Sequence, residues 1–397
     1  MKKFLSLRMP KGYSFYLHLS MILLSVFGSI MVVSASSNRN VTVGSLASGL
    51  VKQMGFFVLG YILMVWCAKF ATMKKIKPWI FPLLILMGIL LIIPLAFPPV
   101  AGAQAWIRIP GFPLTLQPSE FAKVLVILTM ALYLGDIKST RATTMQIIKI
   151  PVFSALIFTI IIVFLQSDLG SGVILFAIAW LLFMIPSHPK LSGVQLGGLV
   201  LTGLGIAAII WLFTPSGMHF IEKLPLASYQ ISRFTDMFNP FINRHGSSFQ
   251  LFNSLIAFVK GNWWGIGLGK SVQKLGYLPV ANSDYILAII VEELGIFAFV
   301  FILLGYIVMI SVLIKYALLY KNEQGKMVLF GTALFLFFHF VLNVGGVSAL
   351  IPLTGVPLLL ISSGGSSQLA IMIALGFSQG MIARYSKEVK TYENHRR

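Results

Sequence analysis

The chain has 397 residues, 57% of them hydrophobic and only 10% charged. A soluble domain carries about 25% charged residues, so this chain cannot cover itself with a polar surface. Its mean hydropathy of +0.90 and its many apolar runs of the roughly 20 residues that cross a bilayer exclude a soluble fold, and it lacks the short alternating segments of a transmembrane β-barrel. The net charge is +19, but the basic residues fall in short loops between apolar runs. That is the positive-inside pattern, with attraction to anionic lipid, and not a nucleic-acid surface.

The sequence opens Met-Lys-Lys and enters an apolar run from about Ser14 to Ala35. That run is too long for a signal-peptide core, and a retained first helix is expected. Further runs begin near residues 50, 78, 119, 149, 170, 192, 284, 326 and 366, giving about ten transmembrane helices. Two-thirds of the 30 Lys and Arg fall on the side that holds the N-terminus, the loops at 69–77, 138–149 and 315–326, Lys190, and the tail from Arg384. Both termini are therefore expected in the cytoplasm. Residues 214–283, between spans seven and eight, form a large extracytoplasmic loop, and a loop of that length is usually functional. Within it SFQLFNSLIAFV (248–259) has helical spacing and weak hydrophobicity, as expected of a segment lying along the interface. The fold class is thus an all-α polytopic membrane protein, one domain over 1–397 that contains this loop, with 385–397 as a basic cytoplasmic tail. The only cysteine, Cys67, lies in a membrane segment. No intrachain disulfide or cysteine metal site is available, and an inert buried thiol is expected.

Polar groups concentrate at four places beside the outer ends of the helices. In GAQAWIRIPGFPLTLQPSEFAK (102–123), Gln117-Pro118-Ser119-Glu120 opens a span. Pro in the first turn and an acid at the positive dipole end are ordinary helix-start features. Lys123, three residues beyond Glu120 on the same face, is not, and the two can pair or face a cavity. In QSDLGSG (166–172), Ser167 or Asp168 reads as the cap of the next span. The large loop carries Arg233, which could hold an anion such as pyrophosphate or serve only structure, together with Gln250 and Gly265, Gly267 and Gly269. GIGLG lacks a preceding strand, so a flexible turn is the better reading than a phosphate loop. Finally, LIPLTGVPLLLISSGGSSQLA (350–370) interrupts an apolar run with Pro352, Pro357 and a serine–glycine stretch. Irregular backbone at membrane depth is tolerated where it lines a cavity, and helix packing through small residues is the alternative.

Acids are scarce, 11 in 397 residues, yet LPVANSDYILAIIVEELG (278–295) holds Asp284, Glu292 and Glu293. Asp284 or Ser283 could cap the helix that follows. Glu292 lies about 12 Å deeper at 1.5 Å per residue, and Glu293 points nearly opposite to Asp284. One glutamate is expected to pair with a buried base and the other to make a polar contact between helices.

Taken in order, GA-x-x-WI…QPSEFAK, Q-x-DLG, YQ-x-x-R…P, G-x-GLG-x-SVQKLGYLP-x-A-x-SD, EELG and PLTG-x-PLL-x-IS-x-GGSS resemble the SEDS family, the FtsW/RodA/SpoVE membrane proteins of bacterial growth, division and sporulation. The resemblance runs from Ser34-Ala35-Ser36 to the GGSS segment, and MVVSAS and SVQKLGYLP lean towards the FtsW/SpoVE side. It implies a peptidoglycan glycosyltransferase that polymerises lipid II into β-1,4 glycan strands on the outer face of the cytoplasmic membrane, beside a class B penicillin-binding protein and other divisome or elongasome membrane proteins.

The family's essential acid falls on Asp284, with Ser283 and Tyr285 as mild changes beside it. Asp284 would act as general base on the acceptor 4-hydroxyl, and undecaprenyl pyrophosphate would leave, stabilised by cations from among Arg108, Lys123 and Arg233. Glu120, Gln250, Ser283, Ser362, Gly364, Gly365 and Ser366 complete the expected substrate site. A divalent cation, magnesium or manganese, is compatible with this chemistry, although no ligand cluster in the sequence marks one. The chain departs from the family pattern at Gly276, Val280, Asn282 and His339, and in GAQAWI for GARRWI. A lipid II flippase is the alternative, although internal repeats of the transporter kind are not visible. A non-catalytic scaffold for the penicillin-binding protein is a third reading.

Overall fold

The computed structural model describes residues 7–37, 43–70, 72–100, 102–108, 115–135, 137, 143–223, 228–241 and 243–396. Helices occupy all ten expected positions. They are α1 (Phe15–Ser36), α2 (Val43–Phe70), α3 (Met73–Ile76) continued through a 3-10 turn into α4 (Ile80–Ile92), α5 (Pro118–Leu134), α6 (Thr144–Ile160), α7 (Leu169–Phe183), α8 (Pro189–Leu212), α12 (Ile286–Leu319), α13 (Glu323–Val347) and α14 (Gly365–Arg396). Eight of these stretches are long and apolar enough to cross a membrane, while α5 and α7 are shorter, at 17 and 15 residues. The large loop carries α9 (Pro215–Lys223), α10 (Ser228–Phe238) and α11 (Phe249–Gly261).

Local chemistry sets several boundaries. Ser14 caps α1 through Leu17 N, and a Thr143/Gln146 capping box opens α6, each satisfying orphan amides at a helix start. Asp168 caps α7, as the sequence suggested. α14 lies at the centre of the bundle, packed on α2, α5 and α13. Gln379 on α14 exchanges two hydrogen bonds with the backbone of Ser14, at 2.8 and 3.0 Å. The residues expected as a tail continue α14 as helix to Arg396.

Packing adds to one expectation and corrects another. α11 does not lie free of the bundle. It docks on α12, burying Leu251, Ser254 and Ala257, and Ser254 Oγ donates to Val347 O at 2.7 Å. The glycine turn after it is not loose either, because it repairs a break in α12. Gly295 in that helix has φ 76 and ψ −174, a conformation open to glycine. The Glu292 and Glu293 carbonyls accept from Ile266 N and Gly267 N, both at 2.9 Å, and Ile296 N donates to Asn262 O at 2.9 Å. Backbone groups that lose helical partners within the bilayer need substitutes, and the turn at 262–267 supplies them.

Candidate active site

The two glutamates of the break also hold the approach to Asp284. Glu293 accepts from Lys274 Nζ at 2.8 Å, Ser34 Oγ at 2.5 Å and Ser271 N at 3.3 Å. Glu292 accepts from Ser271 Oγ and from the Val272 and Gln273 amides, both at 3.3 Å. Both are fully buried. Glu293 is therefore the acid paired with a buried base. Glu292 grips loop backbone and a serine, where a contact between helices was expected. Together they fix residues 271–274, from which the chain leads to Asp284.

From there the loop is tied at three consecutive carbonyls, two of them to the irregular segment 348–364 and one to α13. Ser363 N donates to Asn282 O at 3.0 Å, Ser362 Oγ to Ser283 O at 2.9 Å, and Asn343 Nδ2 to Asp284 O at 2.9 Å. Asn343 Nδ2 also donates to Val356 O at 2.8 Å, so one amide ties the segment and the loop to α13. Asp284 does not cap α12. That position belongs to Tyr285, which makes no side-chain cap bond, and the Asp284 side chain is left for the cavity.

The cavity has a volume of about 330 Å³. Asp284 lines it with Arg108 from a short hairpin (β1, Ile107–Arg108; β2, Thr115–Leu116), Asp168 from the start of α7, Arg233 from α10, and Thr354 and Gly355 from the irregular segment. The carboxylate faces Gly355, where an added Cβ would lie 3.5 Å from Asp284 Oδ2. Burial pushes the Asp284 carboxyl up to about 7, with Ser283 and Arg233 pulling it down and Asp168 adding to the rise. A carboxylate in that range can take a proton near neutral pH and hold it.

Of the other sequence-predicted residues, Ser283, Gly364, Gly365 and Ser366 line the cavity. Ser362 is buried behind the wall, bonded to Leu358 N and Ser283 O. Gln250 lies in the first turn of α11, away from the lining. Glu120 and Lys123 are not on the lining either. They form a fully buried pair at 2.8 Å, and Lys123 Nζ lies 3.0 Å from His339 Nε2. His339 Nδ1 in turn lies 3.0 Å from the carbonyl of Pro357, a lining residue. These three are placed to support the wall and do not reach the space. Gln117, Thr354 and Gly355 also line the cavity, and so does Asp168, whose sequence context suggests only a cap. The motif that begins at Gln117 was visible, but chain distance gave no sign that it meets residues 168 and 366.

Among the described residues no three His, Cys, Asp and Glu side chains converge to hold a metal. Side chains alone do not form a cation cage here, and a magnesium ion would need substrate oxygens for most of its shell.

Comparison with known proteins agrees with this architecture. A family model described as "Cell cycle protein", covering FtsW, RodA and SpoVE, matches residues 15–390. The chain is 32% identical to the "Probable peptidoglycan glycosyltransferase FtsW" of Bacillus subtilis (strain 168), across 98% of this chain and 94% of that protein. It is 29% identical to the protein of the same description from Enterococcus hirae, across 92% and 91%. Among solved structures it is similar to a chain from "Structural coordination of polymerization and crosslinking by a peptidoglycan synthase complex", with a TM-score of 0.69 at 22% identity over 95% of this chain and 99% of that one. It is also similar to the rod shape determining protein RodA of Thermus thermophilus, with a TM-score of 0.61 at 21% identity over 94% and 97%. The structural matches establish a shared fold, while the family model and the sequence relatives, which lean to the FtsW side, extend from α1 into α14; the chain belongs to the FtsW/RodA/SpoVE family of multi-pass membrane proteins.

Proposed function

We propose that the protein is a peptidoglycan glycosyltransferase that polymerises lipid II at the outer face of the cytoplasmic membrane, with both termini in the cytoplasm and residues 214–283 outside. The observation that carries this reading is a single cavity in which Asp284, a carboxylate whose proton affinity burial has raised, lies with two arginines. The descriptions of the sequence relatives supply the reaction class.

In the reaction, the 4-hydroxyl of one lipid-linked disaccharide attacks the anomeric carbon of the growing strand. The new bond joins that oxygen to C1, the bond from C1 to the pyrophosphate oxygen breaks, and the hydroxyl proton passes to Asp284. Undecaprenyl pyrophosphate leaves with the bonding electron pair, and an α-linked donor gives a β product by inversion. Arg233, whose charge acts on Asp284, would stabilise the departing pyrophosphate, and Arg108, which also lines the cavity, would add a second cation. The hydroxyl-rich wall from Ser363 to Ser367 supplies hydrogen-bonding groups for sugar. A class B penicillin-binding protein is the expected partner, in keeping with the synthase complex named for the similar fold.

The test is polymerisation of purified lipid II by the reconstituted protein, with and without a cognate class B partner, beside Asp284→Ala. Glycan strands from the wild type and none from the variant support the reading. Strands from both remove the role given to Asp284. Strands from neither, with partner bound and protein folded, remove the polymerase.

A further inference from the structure

Asp168 is the second carboxylate of the cavity. Its capping role is real, since Oδ1 accepts from Ser171 N at 3.0 Å. A cap uses one oxygen. The other, Oδ2, accepts from Gln117 Nε2 at 2.9 Å, so the carboxylate is held from α5 as well as from α7. The chain reaches it through a π-helical turn at Ile161–Leu165 and through Ser167 at φ 56, a backbone conformation uncommon for a residue other than glycine. The charge is thus fixed in the cavity that holds Asp284.

We propose that Asp168 is a positioning residue for the transfer, whose charge keeps Asp284 basic enough to take the acceptor proton at neutral pH. This rests on the polymerase reading. The groups facing Asp284 can be named by element. Its own loop brings Ser283 and Tyr285, α10 brings Arg233, the hairpin brings Arg108 and α7 brings Asp168. Asn343 of α13 holds only its carbonyl, and the start of α14 brings serines and glycines. After burial and the hydrogen bond from Ser283, Arg233 and Asp168 act on Asp284 in opposite senses. When a pyrophosphate engages Arg233 its pull is neutralised, the push from Asp168 is no longer opposed by that charge, and the base strengthens as the donor arrives.

The two roles of Asp168 separate by substitution. Asn and Ser cap helices well but carry no charge, whereas Glu carries the charge and caps poorly. Full-length Asp168→Asn, Asp168→Ser and Asp168→Glu would be reconstituted with the class B partner, each checked for a monodisperse folded state. The pH profile of kcat/KM for lipid II would then be measured. Asn and Ser should move the acid limb down by roughly half a pH unit or more, because removing a like charge from the shared cavity lowers the proton affinity of Asp284. Glu should hold the limb at its wild-type position. An unmoved limb with wild-type rates in Asn or Ser, together with a Glu variant that fails, makes the cap the whole role and overturns the proposal. Wild type that makes no strands overturns the polymerase reading and this proposal with it. Asn and Ser are independent neutral caps, so either one folding decides the question.

Discussion

Lys274 and Glu293 offer a quantitative test of the framework around Asp284. Their charged atoms are 2.8 Å apart, with side chains 2% and 0% exposed. Removing one member of such a pair strands the other and costs about 3–5 kcal/mol, whereas replacing both with neutral groups of similar volume is far milder. Lys274→Met leaves Glu293 with Ser34 Oγ and Ser271 N, so the lower part of that range is expected. Glu293→Gln leaves Lys274 with Gly269 O at 2.9 Å and Ser34 Oγ at 3.4 Å. The double variant should recover more than half of the summed loss, because no charge is left stranded. The assay is thermal unfolding of the purified protein in one detergent, across wild type, both singles and the double. Losses that simply add would refute the reasoning, since groups that do not interact behave additively.

Three further outcomes follow from the geometry. Asp284→Asn should slow strand formation by about 10²–10⁴-fold, the usual contribution of a positioned base. Because burial raises its carboxyl to about 7, the base is protonated below that pH. The wild-type rate should therefore fall as pH drops through about 7, and an acid limb at the ordinary carboxylate position would contradict the assignment. Arg233→Gln should raise the apparent KM for lipid II by about ten- to a hundredfold, the worth of a charge-assisted hydrogen bond of about 1.5–3 kcal/mol; titrating lipid II against initial rate checks it. Gly265→Ala should destabilise by at least about 1–3 kcal/mol through overpacking. Its φ is +77 and the new Cβ would strike the Glu293 carbonyl, so an unchanged melting temperature would mean the turn is not docked as described.

The helices were legible because hydropathy reports what the bilayer demands of each segment. The Glu120–Lys123 pair was legible as well, since three-residue spacing on a helix fixes a neighbour. The irregular segment at 350–364 announced itself through Pro352, Pro357 and serines within an apolar run. What could not be read was tertiary. Nothing local tells that the amides of Ile266 and Gly267 reach the carbonyls of Glu292 and Glu293. Nor could the sequence show that Asn343, on another helix, bonds the carbonyl of Asp284. Gln250 and Ser362 shared motifs with cavity residues, but motif membership says only that a residue matters. It does not separate a wall from its support.

That separation answers why three of so few acids share one apolar segment. A buried carboxylate destabilises the fold unless donors surround it. Glu292 and Glu293 have theirs, and their charge is spent on holding residues 271–274. Asp284 is treated differently. Its backbone carbonyl is tied by Asn343 and its neighbours by Ser362 and Ser363, while its side chain takes no part in that stitching. The framework therefore fixes where the carboxylate is without depending on its charge. Substitution should separate the two kinds of acid. Asp284→Asn keeps every backbone tie and removes a carboxylate whose charged form burial disfavours, so near neutral pH it should melt no lower than the wild type, while strand formation slows by about 10²–10⁴-fold. Glu292→Gln keeps the shape but puts an NH₂ group, which cannot accept, in place of one of the two carboxylate oxygens that accept from two amides and a serine in the wild type. It should lower the melting temperature, and activity should fall only as the folded fraction falls. Melting curves and initial rates on the same two preparations decide the matter. An Asp284→Asn protein that unfolds like Glu292→Gln would make Asp284 part of the framework and leave the cavity without its base.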